Sequence, residues 1–137
     1  MKMLHSLLLF LALILISPVG HARFAEAVQS PQQASFVVSG SAAPNIAKVR
    51  ESIGAAASSR GWQVTSEQPG QLQLRNVIRN KHVVVINVFY DTKVVRAEYV
   101  SSENLKYEMR GGVPYIHPKY NEWVSLLLHD IVAKVSS

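Results

Sequence analysis

Residues 82–90 read His-Val-Val-Val-Ile-Asn-Val-Phe-Tyr, and this run constrains the fold more than any other stretch of the chain. β-Branched and aromatic side chains dominate it, and such residues pack best on alternate faces of a pleated strand. Asp91-Thr92-Lys93 turns the chain, and Val94 to Val100 returns as a second strand. Upstream, Trp62 and Val64 alternate with Gln63 and Thr65, and Leu72 and Leu74 alternate with Gln71, Gln73 and Arg75. Between those two runs, Gln68-Pro69-Gly70 sets Pro before Gly in the order of a type II turn. Asn80-Lys81 marks a further tight turn. Four strands joined by short turns predict an antiparallel meander with His82–Tyr90 at its centre.

Two helical patterns flank the meander. Ser41 to Arg60 places Ile46, Val49, Ile53 and Ala56/Ala57 on one stripe, with Pro44 in the first turn and Gly61 as the stop. Pro118 to Val135 does the same with Tyr120, Trp123/Val124, Leu127, Ile131 and Val135. Ser35 to Ser39 reads as a short strand before the first helix, and Ser101 to His117 as a long irregular loop around Gly111-Gly112. The order β-α-β-β-β-β-α predicts an α+β fold. An antiparallel sheet of four to five strands carries both helices on one face, in a helix-grip-like arrangement.

The N-terminus reads as an address. Lys2 precedes the apolar run Leu7 to Ile16, and Gly20-His21-Ala22 supplies small residues where a signal peptidase cuts. The run is about half of the roughly 20 residues that span a bilayer. A cleaved export signal over residues 1–22 is therefore expected, with a retained anchor as the alternative. Polar residues 23–34 follow as a flexible leader, and residues 35–137 form a single domain. The chain has no cysteine, so it has no disulfide framework and no lipid-bearing cysteine. A soluble periplasmic protein with no stable membrane anchor after cleavage is expected.

The formal charge is +5, from 14 basic and 9 acidic side chains. The basic residues are scattered rather than clustered with aromatics, which argues against nucleic acid and leaves anionic surfaces open. Cleavage leaves His82, His117 and His129, none of them paired four residues apart on a helix, so neither a metal nor another cofactor is expected. No nucleophile elbow or phosphate loop is present, and no catalytic residue is assigned. His117 stands before Pro118 at a helix start, where its ring can cap the backbone or act as an acid or base near neutral pH. Tyr99, Tyr107, Tyr115, Tyr120 and Trp123 crowd the same stretch. They can form a shallow binding cleft or a small second core.

Ser102-x-Asn104-Leu105, followed by Ile116-His117-Pro118-Lys119-Tyr120-Asn121-Glu122-Trp123-Val124, resembles a pattern in small, largely uncharacterised exported bacterial proteins. Many of these are predicted lipoproteins. Gly61-Trp62, the strand from His82 and the Tyr90-Asp91 turn also fit, so the resemblance spans about residues 43–135. Ser101 stands where the group often has Asp, and the lipid-bearing cysteine is missing. The resemblance implies an envelope role but no reaction. Taken by themselves, Ser102 and Asn104 can hydrogen-bond backbone to fix the loop, and Asn121 can tie that loop to the helix. Tyr120 and Trp123 open the buried stripe.

The expected function is thus a non-enzymatic binding, adaptor or envelope-maintenance module. Its candidate binding residues are Ser102, Asn104, Tyr107, Tyr115, His117, Tyr120, Asn121 and Trp123. Its partner would be an envelope protein, a glycan or a small ligand, and a homodimer through sheet edges is a further possibility. The alternative is a small hydrolase or ligand-processing enzyme centred on His117.

Overall fold

The structure is a computed structural model and describes residues 25–37 and 43–137. The expected export signal and residues 38–39 of the first expected strand lie outside the described residues. Among the described residues, no helix is long and apolar enough to cross a membrane.

The fold is α+β, with two helices and two antiparallel sheets among the described residues. Its strands are β1 (Glu26–Ala27), β2 (Gln32–Ser35), β3 (Trp62–Gln68), β4 (Gln71–Ile78), β5 (His82–Tyr90), β6 (Val94–Glu103), β7 (Glu108–Arg110) and β8 (Val113–Ile116). The helices are α1 (Ile46–Ser59) and α2 (Lys119–Val135). The larger sheet runs β2-β6-β5-β4-β3, so the expected meander is present with β5 in the middle. The alternation read from sequence decides its faces. Leu72, Leu74, Val84, Ile86, Val88, Val95 and Ala97 are buried beneath the helices. Gln73, Asn87 and Arg96 stand on the other face, where Gln73 Nε2 donates to Asn87 Oδ1 at 3.2 Å.

Both helices bury the expected stripes against this face: Val49, Ile53, Ala56 and Ala57 from α1, and Tyr120, Val124, Leu127, Ile131 and Val135 from α2. Ile46 departs from the expected stripe and is exposed, because α1 starts there rather than at Ser41. Asn45 is the cap that sets this start, its side chain accepting the Lys48 amide at 2.8 Å. At the other end, Gly61 takes φ +81° just past the helix. Buried Asn76 donates to the Arg60 carbonyl at 3.0 Å and so satisfies one of the last orphan acceptors. Arg50 bridges α1 to Glu67 on β3, and Arg60 pairs with Asp130 on α2.

Four expectations are corrected. The described part of the leader is not loose: β1 pairs with β8, and β2 pairs with β6 from Gln32↔Ala97 to Ser35↔Val94. The first strand consequently ends at Ser35 instead of beginning there. The segment from Ser101 to His117 is largely ordered as strand. β6 extends to Glu103, and β7 and β8 form a hairpin whose two-residue turn is Gly111-Gly112, both at positive φ. With β1 this hairpin makes a second, three-stranded sheet that periodicity did not predict. The β4–β5 turn centres on Arg79-Asn80, at φ +56° and +53°, one residue earlier than expected.

Candidate functional site

A cleft of about 270 Å³ opens at one end of the larger sheet. The β4–β5 turn supplies Ile78, Arg79 and His82; the segment after β6 supplies Leu105; and the start of α2 supplies His117, Lys119 and Trp123. Backbone contacts tie these segments together. Asn104 Nδ2 donates to the Lys81 carbonyl at 2.8 Å, and the His117 amide donates to the Leu105 carbonyl at 2.9 Å. The loop after β6 is thus stapled between the hairpin turn and the helix start.

These staples assign the two histidine rings different roles. His82 Nδ1 lies 2.8 Å from the Asn104 carbonyl. A carbonyl only accepts, so Nδ1 donates and, in the neutral ring, Nε2 keeps its lone pair. His117 Nδ1 accepts the Lys119 amide at 3.1 Å, capping α2 where Pro118 has no side-chain acceptor. In the neutral ring, Nε2 of His117 therefore carries the proton. The cleft has one imidazole whose unused nitrogen accepts and one whose unused nitrogen donates. The His82 and Trp123 rings lie 6.2 Å apart between centroids, and Ile78 and Leu105 add apolar wall.

Backbone strain gathers at the same place. Among the described residues, the non-glycine positions with positive φ are Arg79, Asn80, Asn104 and Lys106. All four lie in the two segments that frame the cleft. The left-handed region suits Asn, but it costs Arg and Lys about 1 kcal/mol each, and such strain concentrates at functional sites.

The remaining candidates sit elsewhere. A β-bulge at Val100 shifts the β5–β6 register, so that Ile86 pairs with Tyr99 and Val85 with Ser101. An odd spacing would normally send Tyr99 and Ser102 to opposite faces; the bulge brings them together, with hydroxyls 2.8 Å apart. Tyr107 stacks on Tyr99 at 4.8 Å, and Tyr120 meets it edge-on at 5.4 Å. Burial pushes the Tyr120 phenol above its usual ionisation range, and Tyr99 moves the same way for the same reason. Tyr115 lies under the Arg110 guanidinium on the small sheet. Asn121 does not tie the 101–117 loop to the helix. It pins the N-terminal segment: Nδ2 donates to the Ala27 carbonyl and to Glu26, and Oδ1 accepts the Gln29 amide at 2.9 Å.

Of the eight candidates, then, His117 and Trp123 reach the cleft, Asn104 stands behind His82, and Ser102, Tyr107 and Tyr120 join the tyrosine stack. His82, Arg79 and Lys119 line the cleft without having been singled out for it. Two signals were available. His82 continues the inward alternation of Val84, Ile86 and Val88, so it had to end the buried row. Arg79 occupies a turn position that Asn, Asp or Gly usually fills.

A second hollow, of about 210 Å³ beside Trp62 and Asn76, shares Ile78 and Trp123 with the cleft and continues it toward Arg60. Another, between β2 and α2, is lined by His129 with no other titratable side chain. Among the described residues, no group of three or more His, Asp or Glu is placed to hold a metal ion. Compared with known proteins, the chain matches no protein-family model, no curated protein and no solved structure.

Proposed function

We propose that this chain is an exported, periplasmic binding module whose ligand site is the cleft between His82, His117 and Trp123. One observation carries this reading: an open cavity bounded by an indole and two imidazoles, each of which spends one nitrogen on the backbone and keeps the other. Ligand cavities are typically apolar hollows with a few fixed polar groups, and this one has that composition on a small scale. The resemblance to exported envelope proteins and the N-terminal signal pattern support the compartment. No hydroxyl, thiol or carboxylate lines the cleft, and its imidazole and amine nitrogens have no neighbouring carboxylate in the lining to activate them, so binding is preferred over covalent catalysis.

A second reading rests on the complementary ring nitrogens. An acceptor and a donor across one cavity are what acid–base hydrolysis with water as nucleophile requires.

Protein-observed NMR with a library of small ring-bearing fragments tests the binding reading. At least one fragment should shift the Trp123 indole N–H. His117→Asn should abolish that shift while keeping the melting temperature, because Asn can also accept the Lys119 amide. His117→Ala should lose the shift and also about 1 kcal/mol of stability, the worth of a helix cap. If no fragment perturbs Trp123, the cleft is not a ligand site. Turnover of ester or phosphoester probes that vanishes in His82→Ala would favour the hydrolase.

A further inference from the structure

Resting on the cleft as a ligand site, we propose that its ligand is a phosphate monoester carried on an apolar body. The polar groups around the cavity are Arg79, Lys119, His82 and His117, and no acidic side chain lines it. Such a lining favours a doubly charged oxyanion over a neutral sugar or a cation. The two ring nitrogens add a donor for an unprotonated oxygen and an acceptor for a protonated one, which matches a phosphate exchanging its last proton near neutral pH.

The basic side chains are also placed at a loss to the fold. Arg79 stands at φ +56° in a three-residue hairpin turn, at a position where Asn or Gly would be relaxed, and it has no ion-pair or hydrogen-bond partner among the described residues. Lys119 opens α2, at the helix end where a cation is disfavoured. Its bond to Glu122, at 2.9 Å, joins two half-exposed side chains and is readily exchanged for a ligand. Trp123, Ile78 and Leu105 supply the apolar wall, and the adjoining hollow gives the ligand body room to extend. The oxyanion would sit between Arg79 and Lys119, with the ligand's apolar body against Trp123.

Isothermal titration calorimetry on the full chain, with phenyl phosphate, inorganic phosphate and phenol as probes, tests this. Phenyl phosphate should bind at least about tenfold more tightly than either fragment alone. Arg79→Asn, which relaxes the turn and keeps the fold, should weaken phenyl phosphate about tenfold or more, the worth of one charge-assisted hydrogen bond. Vesicles containing phosphatidic acid separate the sources. If they compete with phenyl phosphate, the phosphate is held by a lipid; if they do not, it is soluble. Either result supports the proposal once phenyl phosphate binds. Phenol binding as tightly as phenyl phosphate, or an Arg79→Asn variant of unchanged affinity, overturns the phosphate inference while leaving the binding reading intact. That reading falls separately, if no fragment moves the Trp123 signal.

Discussion

Two aromatic clusters grow from the first turns of α2, three residues apart in sequence, and they end differently. Tyr120 enters a closed group, stacked edge-on to Tyr99, which in turn carries Tyr107 on its face and Ser102 on its hydroxyl. Trp123 faces His82 across a cavity and leaves it open. Both groups use rings with polar tips. Crowded aromatics therefore do not by themselves mark a binding site. The mark is a polar atom left over beside open volume, and only the Trp123 side combines the two.

The contrast breaks most sharply under truncation. Tyr120→Ala should lose about 4 kcal/mol in urea unfolding, because a fully buried ring leaves a cavity behind. Trp123→Ala, whose ring already borders open space, should lose only about 2 kcal/mol. Equal losses would mean that the two clusters are both core. Asn121→Ala should come next, at about 2 kcal/mol, because it strips three hydrogen bonds that a buried side chain makes to the N-terminal segment. Limited proteolysis should then cut first near residues 26–30.

The smallest effect is the most diagnostic. The Tyr120 hydroxyl is buried and has no hydrogen-bond partner among the described residues. Tyr120→Phe should therefore leave stability at pH 7 unchanged or raise it by up to about 1 kcal/mol. Its effect should grow with alkali. The folded phenol ionises above the unfolded value of about 10, so the folded state holds its proton more tightly. Stability from this group is complete below pH 10 and falls as the pH rises beyond it. Thermal melts at pH 9 and pH 11 should show a smaller drop for Tyr120→Phe than for the parent chain. An equal drop would place the alkaline weakness elsewhere, Tyr99 being the next candidate.

How legible each part was depends on how local its causes are. β5 and α2 were readable because their side-chain periods are written within ten to twenty residues, and His82–Tyr90 keeps the bounds its alternation predicts. β1 and β2 were not, because Gln32, Gln33 and their neighbours have no strand pattern of their own and take extended form only by pairing with remote β8 and β6. The β7–β8 hairpin had its signal in Gly111-Gly112, but Pro114 and the short mixed strands hid it. His117 was read both as a cap and as a functional group; the structure gives it the cap through Nδ1 and leaves Nε2 for chemistry. His82 and Arg79 were overlooked because what gives them meaning, Asn104 and Trp123, lies more than twenty residues away.

The pinned N-terminal segment has a consequence for how the chain matures. Ser35 pairs with Val94, Gln32 with Ala97, Ala27 with Tyr115, and Asn121 holds Glu26, Ala27 and Gln29. None of these partners exists until most of the chain has been made. The first strands must wait while the β3–β6 meander forms from neighbours. Closing so long a loop adds little free energy but delays the step. In pulse-labelled hydrogen exchange, the amides of β1 and β2 should be the last to gain protection.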